Sequence, residues 1–154
     1  MLNEDYRDML QCLLEEKVRF LLVGAYAVAV YGYPRATKDI DIFVRAAPEN
    51  ATSLMRALAR FGAPLSEVSA ADFATEGIIF QIGSSPRRID ILTRISGVDF
   101  EQAYANRQTV SVEGMDVPVI SLDDLVTNKR ASGRTQDLAD LEKLQSVLAP
   151  KKQG

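Results

Sequence analysis

The chain has 154 residues, of which 47% are hydrophobic and 25% are charged, a balance typical of one globular domain with its own core. It contains no histidine and a single cysteine, Cys12, which excludes histidine-based catalysis, cysteine-rich zinc sites and an intramolecular disulfide. The net charge of −3 argues against a surface that binds nucleic acid as a whole, although local basic clusters exist.

No apolar run in the sequence reaches the length that a membrane-spanning helix needs, and the N-terminus lacks the basic start and apolar core of a signal peptide. We therefore expect a cytoplasmic protein without a membrane segment. There is no repeat, linker or low-complexity tract, so residues 1–154 are predicted to form a single domain.

The first half of the chain predicts alternating helices and strands. An amphipathic helix over residues 3–17 precedes a buried strand at Arg19–Val23. A small-residue helix at Ala25–Tyr31 follows, which Gly32 and Pro34 should end, and Asp39–Val44 reads as the second strand. We expect this first strand–helix–strand unit to be a right-handed parallel crossover.

The rest of the chain predicts five helices and two hairpins, each with its own start or turn signal. The helices are one from Pro48 to Gly62, a short one from the Ser69 capping box, a short one at Asp99–Ala105, and two that open at Ser121 and Thr135. The hairpins are Ile78–Ile82 with Arg88–Leu92, and Thr109–Val112 with Asp116–Val119. A frayed tail is expected from Pro150. The order predicts an α/β (α+β) fold with a mixed β-sheet, flanking helices and a C-terminal helical pair.

Three aspartates carry the strongest chemical signal. Asp39 and Asp41 alternate with isoleucine, so both carboxylates point to one face of their strand, and Asp90 alternates in the same way in Arg88–Leu92. If the two strands are neighbours, the three acids converge into a hard oxygen site suited to Mg²⁺ or Mn²⁺. Taken alone, Asp90 is equally consistent with the polar side of a half-exposed strand.

Two further positions allow a functional and an ordinary interpretation. Gly24 joins a strand to a helix, where backbone amides can bind an anion, but such turns also use glycine for geometry alone. Lys129 occupies a core position of the apolar stripe in the helix from Ser121, so it either snorkels to the surface or faces a cleft as a phosphate partner. Arg134 and Asp137, three residues apart, are expected to pair locally.

The spacing of Gly24-Ala25, Asp39-Ile-Asp41 and Asp90 resembles that of the nucleotidyltransferase superfamily, the enzymes with a DNA polymerase β-like catalytic fold. The longer pattern from Gly32 through Arg35 and Thr37 to Asp41 is similar to a bacterial subset, which includes AbiEii-type abortive-infection toxins and small-molecule nucleotidyltransferases. The run from Lys129 to Asp140 is similar to the C-terminal helical motif of the toxin-like group. The resemblance extends over positions from about 20 to 144.

This resemblance implies a metal-dependent transfer of a nucleoside monophosphate from an NTP to a hydroxyl acceptor, which could be tRNA, a protein or a small molecule. It also admits a toxin-like role with an antitoxin partner, or a homodimer. Asp39, Asp41 and Asp90 would be catalytic and would hold Mg²⁺ or Mn²⁺. The nucleotide-binding residues would be Gly24, Ala25, Arg35, Thr37 and Lys129.

One residue departs from the pattern of the superfamily. Many members have Gly-Gly or Gly-Ser at the turn, where this chain has Gly24-Ala25, so a hydroxyl contact to phosphate is lost. The alternative interpretation is therefore a catalytically silent module with the same fold, which binds a nucleotide or another protein.

Overall fold

The computed structural model describes residues 2–33 and 37–148. Within these ranges six strands form one mixed sheet: β1 (Phe20–Val23), β2 (Asp39–Val44), β3 (Ile79–Ile82), β4 (Arg88–Leu92), β5 (Gln108–Val112) and β6 (Met115–Val119). Seven helices surround it: α1 (Glu4–Glu15), α2 (Gly24–Val30), α3 (Pro48–Phe61), α4 (Ala70–Phe73), α5 (Phe100–Ala105), α6 (Leu122–Ser132) and α7 (Thr135–Leu148). The predicted mixed α/β fold with a C-terminal helical pair is confirmed.

The strand order across the sheet is β3-β4-β2-β1-β6-β5. Both hairpins, β3–β4 and β5–β6, are antiparallel as expected, and β2 runs parallel to β4. The predicted parallel crossover between β1 and β2 is wrong, because these strands pair antiparallel. The connection at 24–38 includes the seven-residue helix α2, and β2 begins beside the end of β1, so β2 runs back along β1.

The two faces of the central strands separate the core from the polar side chains. Ile40 and Ile42 of β2 and Ile89 and Ile91 of β4 are buried in the main core, which also contains apolar residues of α1 and α3. Because side chains alternate along a strand, the aspartates of β2 and β4 lie on the opposite face. The core thus fixes the strands that carry the predicted site.

Helix α1 also holds the β3–β4 hairpin in place. The Tyr6 hydroxyl lies within hydrogen-bond distance of two carbonyl oxygens, 3.2 Å from that of Pro86 and 3.1 Å from that of Arg88. The Tyr6 side chain is 1% exposed, so this polar group is satisfied inside the protein. The contact joins the N-terminal helix to the strand that carries Asp90.

Local start and stop signals act largely as predicted. Ser69 forms its capping box with Asp72, and Ser121 accepts a hydrogen bond from the Asp124 amide. Gly32 adopts a φ of +100°, the left-handed conformation expected after a helix. Pro34 and the predicted frayed tail lie outside the described residues. In α7 Leu141 and Leu144 are buried, whereas Leu138 is 52% exposed.

Candidate active site

The pairing of β2 with β4 brings the three predicted acids together. Asp41 is the register partner of Asp90, and Asp39 lies two residues before Asp41 on the same face. One carboxylate oxygen from each of the three residues lies within 4.8 Å of the other two. The predicted convergence of Asp39, Asp41 and Asp90 is therefore present, with Asp90 buried and the other two half-buried.

The proximity of these acids changes the protonation of Asp41. Burial, the negative charges of Asp39 and Asp90 and a hydrogen bond with Asp90 together raise the pKa of Asp41 to about 7, while Lys129 opposes the shift. A carboxyl with this pKa is half protonated near neutral pH. The site therefore gains stability from any added positive charge.

Arg88 supplies positive charge from within the site. Its guanidinium donates hydrogen bonds to Asp90 through Nε, at 2.9 Å, and to Asp39 through Nη2, at 2.6 Å. Arg88 is also the register partner of Asp39, so it shares the face of the acids. The sequence assigns no role to Arg88, although the alternation that places Asp90 on this face places Arg88 there too.

Gly24 lies directly against Asp41. Its φ is +70°, and a Cβ at this position would lie against Asp41 Oδ2 and 3.0 Å from Asp41 Cγ. Val23, immediately before it, is the register partner of Asp41. Both the backbone conformation and the close approach of the carboxylate therefore require glycine at this turn.

A cleft of about 1030 Å³ contains the predicted site. It brings together seven of the predicted site residues, namely Gly24, Ala25, Thr37, Asp39, Asp41, Asp90 and Lys129. The eighth, Arg35, lies outside the described residues. The cleft opens over the polar face of β2 and β4 and extends to α6 and α7, so residues from distant parts of the sequence share one cavity.

Thr37 lies at the entrance to β2. Its hydroxyl donates to the Asp39 carbonyl oxygen at 2.9 Å, and the Asp39 amide lies 3.4 Å from the same hydroxyl. This local pairing is a side chain–backbone turn of the kind that threonine often forms. Thr37 thus fixes the backbone immediately before the first acid, in addition to lining the cleft.

Lys129 is a buried cation that joins α6 to α7. It is 4% exposed, and its Nζ lies 3.1 Å from Asp137 and 3.2 Å from Asp140. The interpretation that Lys129 snorkels to the surface is therefore wrong, because both carboxylates hold it at the inner wall of the cleft. The sequence revealed the misplaced lysine but not its partners.

The predicted local pair of Arg134 with Asp137 is confirmed, with Nε 2.7 Å from the carboxylate. Burial alone would raise the pKa of Asp137, but hydrogen bonds from Arg134 and Lys129 outweigh it, and the pKa is lowered. Asp137 therefore stays ionised between two cations. Its charge is balanced locally, unlike that of the three acids on the sheet.

The chemistry of the donors fits a hard divalent cation. Three carboxylates approach closely, and burial together with their mutual repulsion raises the pKa of Asp41. A guanidinium already lies against Asp39 and Asp90. Oxygen donors of this kind suit Mg²⁺ or Mn²⁺, and Asp39, Asp41 and Asp90 are the residues that would hold the ion.

A family model for a nucleotidyl transferase of unknown function, DUF2204, matches residues 2–153. The chain belongs to this nucleotidyl transferase family. No curated protein sequence matches this chain. Among the described residues, no helix is both long and apolar enough to cross a membrane.

Several solved structures share the fold of this chain at low sequence identity. A candidate nucleotidyltransferase from Thermotoga maritima is 20% identical, with a TM-score of 0.59 over 96% of this chain and 95% of that chain. The lincomycin-bound lincosamide adenylyltransferase LnuA is 15% identical, with a TM-score of 0.62 over 96% and 98%. The antibiotic-resistance factor ANT(2'')-Ia is 14% identical, with a TM-score of 0.65 over 94% and 83%.

Proposed function

We propose that this protein is a metal-dependent nucleotidyltransferase that transfers a nucleoside monophosphate from an NTP to a hydroxyl acceptor and releases pyrophosphate. The single observation that carries the proposal is the meeting of Asp39, Asp41 and Asp90 within 4.8 Å in a cleft that also contains Gly24. Mg²⁺ or Mn²⁺ held by these acids would neutralise the phosphates and lower the pKa of the attacking hydroxyl.

The position of each residue in the cleft indicates the role that it would have in the transfer. Gly24 and Ala25 lie at the β1 side of the acids and would present backbone amides to the phosphates, because no side chain intervenes at Gly24. Arg35 and Thr37 remain predicted nucleotide contacts from the sequence pattern. Asp90, at the far side of Asp41, would orient the acceptor hydroxyl or accept its proton.

Lys129 would act on the nucleotide at a distance or through a rearranged side chain. In the structure its ammonium is bound by Asp137 and Asp140, yet it lines the cleft and is close enough to lower the pKa of Asp41. It would therefore stabilise negative charge in the cleft while the two aspartates keep it in place.

The chemical class of the acceptor is a separate and more specific part of the proposal. LnuA is named as a lincosamide adenylyltransferase, and ANT(2'')-Ia is known in complex with adenylyl-2''-tobramycin. These names favour adenylyl transfer to a small molecule. The AbiEii-like motif remains the basis for a toxin-like enzyme that modifies tRNA or a protein under the control of an antitoxin, or that works as a homodimer.

A second candidate is a catalytically silent module with the same fold. Arg88 favours it, because its guanidinium already pairs with Asp39 and Asp90 and satisfies part of the charge that a metal would neutralise. Such a protein would bind a nucleotide or a partner protein without transfer.

The two candidates differ in a labelling experiment. Purified protein is incubated with each of the four α-labelled NTPs, Mg²⁺ or Mn²⁺, and cellular RNA or extract, and metal-dependent NTP binding is measured by calorimetry. An active enzyme transfers label to an acceptor, whereas a silent module binds NTP without transfer. The absence of both label transfer and metal-dependent NTP binding would refute the proposal that the protein is a nucleotidyltransferase.

A matched pair of variants tests the role of the acids. Asp41→Asn should abolish transfer and weaken metal-dependent NTP binding, because the variant removes one of the three carboxylates. Asp123→Asn, at an exposed position in the first turn of α6, removes an equal charge outside the cleft and should leave both unchanged. Equal behaviour of the two variants would contradict the metal assignment.

A further inference from the structure

The cleft has a direction that follows the order of the strands. Gly24 follows β1, Asp39 and Asp41 belong to β2, and Asp90 belongs to the next strand, β4. Beyond Asp90 lies the edge strand β3, where Gln81 pairs with Asp90 and Ile79 pairs with Leu92. If phosphates bind at Gly24, the part of the cleft beyond Asp90 is the part left for the acceptor.

This part of the cleft presents apolar side chains and one cation, with Gln81 as a neutral polar neighbour. Five cleft-lining residues of β3, the end of β4 and the segment after β4 form a surface that we call the outer floor. They are Ile79, Gln81, Leu92, Arg94 and Ile95. Ile79 is 64% exposed, although a large apolar side chain on a sheet is ordinarily covered. Leu92, its register partner, and Ile95 are half-buried and line the same cleft, so the apolar surface of the cleft is not confined to Ile79.

The charge of the outer floor is positive. Arg94 is exposed, and no carboxylate of the described residues lies within salt-bridge distance of it. The acids among the described cleft residues are the three at the centre and Asp137, which is bound by Lys129 and Arg134. A polycationic acceptor would therefore meet Arg94 on this side without a free carboxylate to bind it.

We infer that the outer floor binds the acceptor of the proposed transfer, and that this acceptor is a small hydroxyl compound with an apolar face and an anionic group. The inference rests on the proposed function, since it names the second substrate of that site. The apolar face would pack on Ile79 and Leu92, and the anionic group would pair with Arg94. A cleft of about 1030 Å³ has the size of a small-molecule site, with room for a nucleotide and a compact partner.

Two probes with the same phenol and opposite charge test this chemistry. 4-Hydroxyphenylacetate carries a carboxylate and tyramine an ammonium, and tobramycin serves as a polycationic probe. Binding to the full-length protein is measured by saturation-transfer NMR in the presence of Mg²⁺ and ATP. We expect 4-hydroxyphenylacetate to bind about fivefold more tightly than tyramine, the range of an exposed ion pair, and tobramycin not to compete with it.

Variants locate the binding on the outer floor. Ile79→Asp and Arg94→Glu should each weaken 4-hydroxyphenylacetate about fivefold or more and favour tyramine, because each places a carboxylate on the floor. Leu138→Asp is the matched control, since Leu138 is the other large apolar residue that is well exposed among the described residues and it does not line the cleft. Arg94→Glu, at an exposed position, keeps the test available if Ile79→Asp does not fold.

Equal binding of the two phenols, binding of neither, stronger binding of tyramine, or the same loss in Leu138→Asp would overturn the inference. Metal-dependent ATP binding, measured separately by calorimetry, reports on the proposed function. ATP binding that persists in Ile79→Asp, together with unchanged phenol binding, would overturn the acceptor site alone. Loss of ATP binding in Ile79→Asp with a normal melting curve would assign this floor to the nucleotide.

Discussion

At the scale of single residues, Gly24 is the position where the cleft tolerates least change. Gly24→Ala would place a methyl group against the Asp41 carboxylate, at a φ of +70° that already disfavours alanine by about 1–2 kcal/mol. We expect this variant to lose thermal stability and, because Asp41 must move, to bind Mn²⁺ at least about tenfold more weakly, a cost of about 1.4 kcal/mol. Melting curves and Mn²⁺ titration followed by electron paramagnetic resonance measure the two effects.

Gly62→Ala separates the two causes. Gly62 has a φ of +92°, but nothing lies within 4 Å of an added Cβ. The control therefore has the conformational cost without the contact with Asp41, and it should lose stability while retaining its Mn²⁺ affinity. If both variants bind Mn²⁺ alike, the contact between Gly24 and Asp41 has no part in the metal site.

How far the sequence predicts the site also depends on the residue. The shared face of Asp39, Asp41 and Asp90 could be predicted, because an acid that alternates with isoleucine along a strand must point away from the apolar face. The same alternation places Arg88 on that face, but its contact with the acids was not predicted, because the sequence does not say whether a strand arginine faces solvent or a carboxylate. The partners of Lys129 could not be predicted, since they depend on how α6 and α7 cross.

At the scale of elements, the buried contact of Lys129 with Asp137 and Asp140 fixes α7 against α6. Lys129→Met keeps the length and the apolar stem of the side chain but removes the charge that the two buried carboxylates share. We expect a loss of about 3 kcal/mol in the free energy of unfolding, within the range for breaking a buried ion pair. Urea denaturation followed by circular dichroism measures it.

Arg130→Met provides the matched control for this prediction. Arg130 is the next residue of α6 but is exposed, so removal of its charge should change the free energy of unfolding by less than about 0.5 kcal/mol. A similar small effect in Lys129→Met would mean that apolar packing, not the charge, holds α7.

The elements themselves were largely predictable, and their orientation was not. The bounds of β2 and β4 match the prediction because period-two patterns with flanking turn residues define them locally. The antiparallel pairing of β1 with β2 was missed, since the connection at 24–38 is long enough for either direction. The direction depends on how α2 packs against β1 and β2, which the sequence does not specify.

At the scale of the whole molecule, Asp41 makes stability depend on pH. Its folded pKa of about 7 lies above the ordinary value of 3.8, so between these values the folded protein binds more protons than the unfolded chain. This contribution is fully present below pH 3.8 and is lost as the pH rises through 7. In metal-free buffer we expect the free energy of unfolding to fall by on the order of 3 kcal/mol between pH 4 and 8 from this group.

Asp41→Asn removes the titrating group and should therefore reduce the fall in the free energy of unfolding between about pH 4 and 8. The variant should be more stable than the wild type at pH 8 without metal, and the difference should shrink toward pH 4, as measured by urea denaturation at each pH. Asp123→Asn should follow the wild-type curve. Parallel curves for wild type and Asp41→Asn would contradict the raised pKa.

The register of β4 against β2 has a consequence for folding fidelity. A slip of β4 by one residue would exchange its two faces, so Arg88 and Asp90 would enter the core while Ile89 and Ile91 would enter water. The same charged groups that form the cleft thus penalise the wrong pairing more strongly than neutral side chains would. The same two side chains therefore serve both the site and the accuracy with which this sheet assembles. A variant that neutralises both Arg88 and Asp90 would lose a safeguard against misfolding along with its proposed activity.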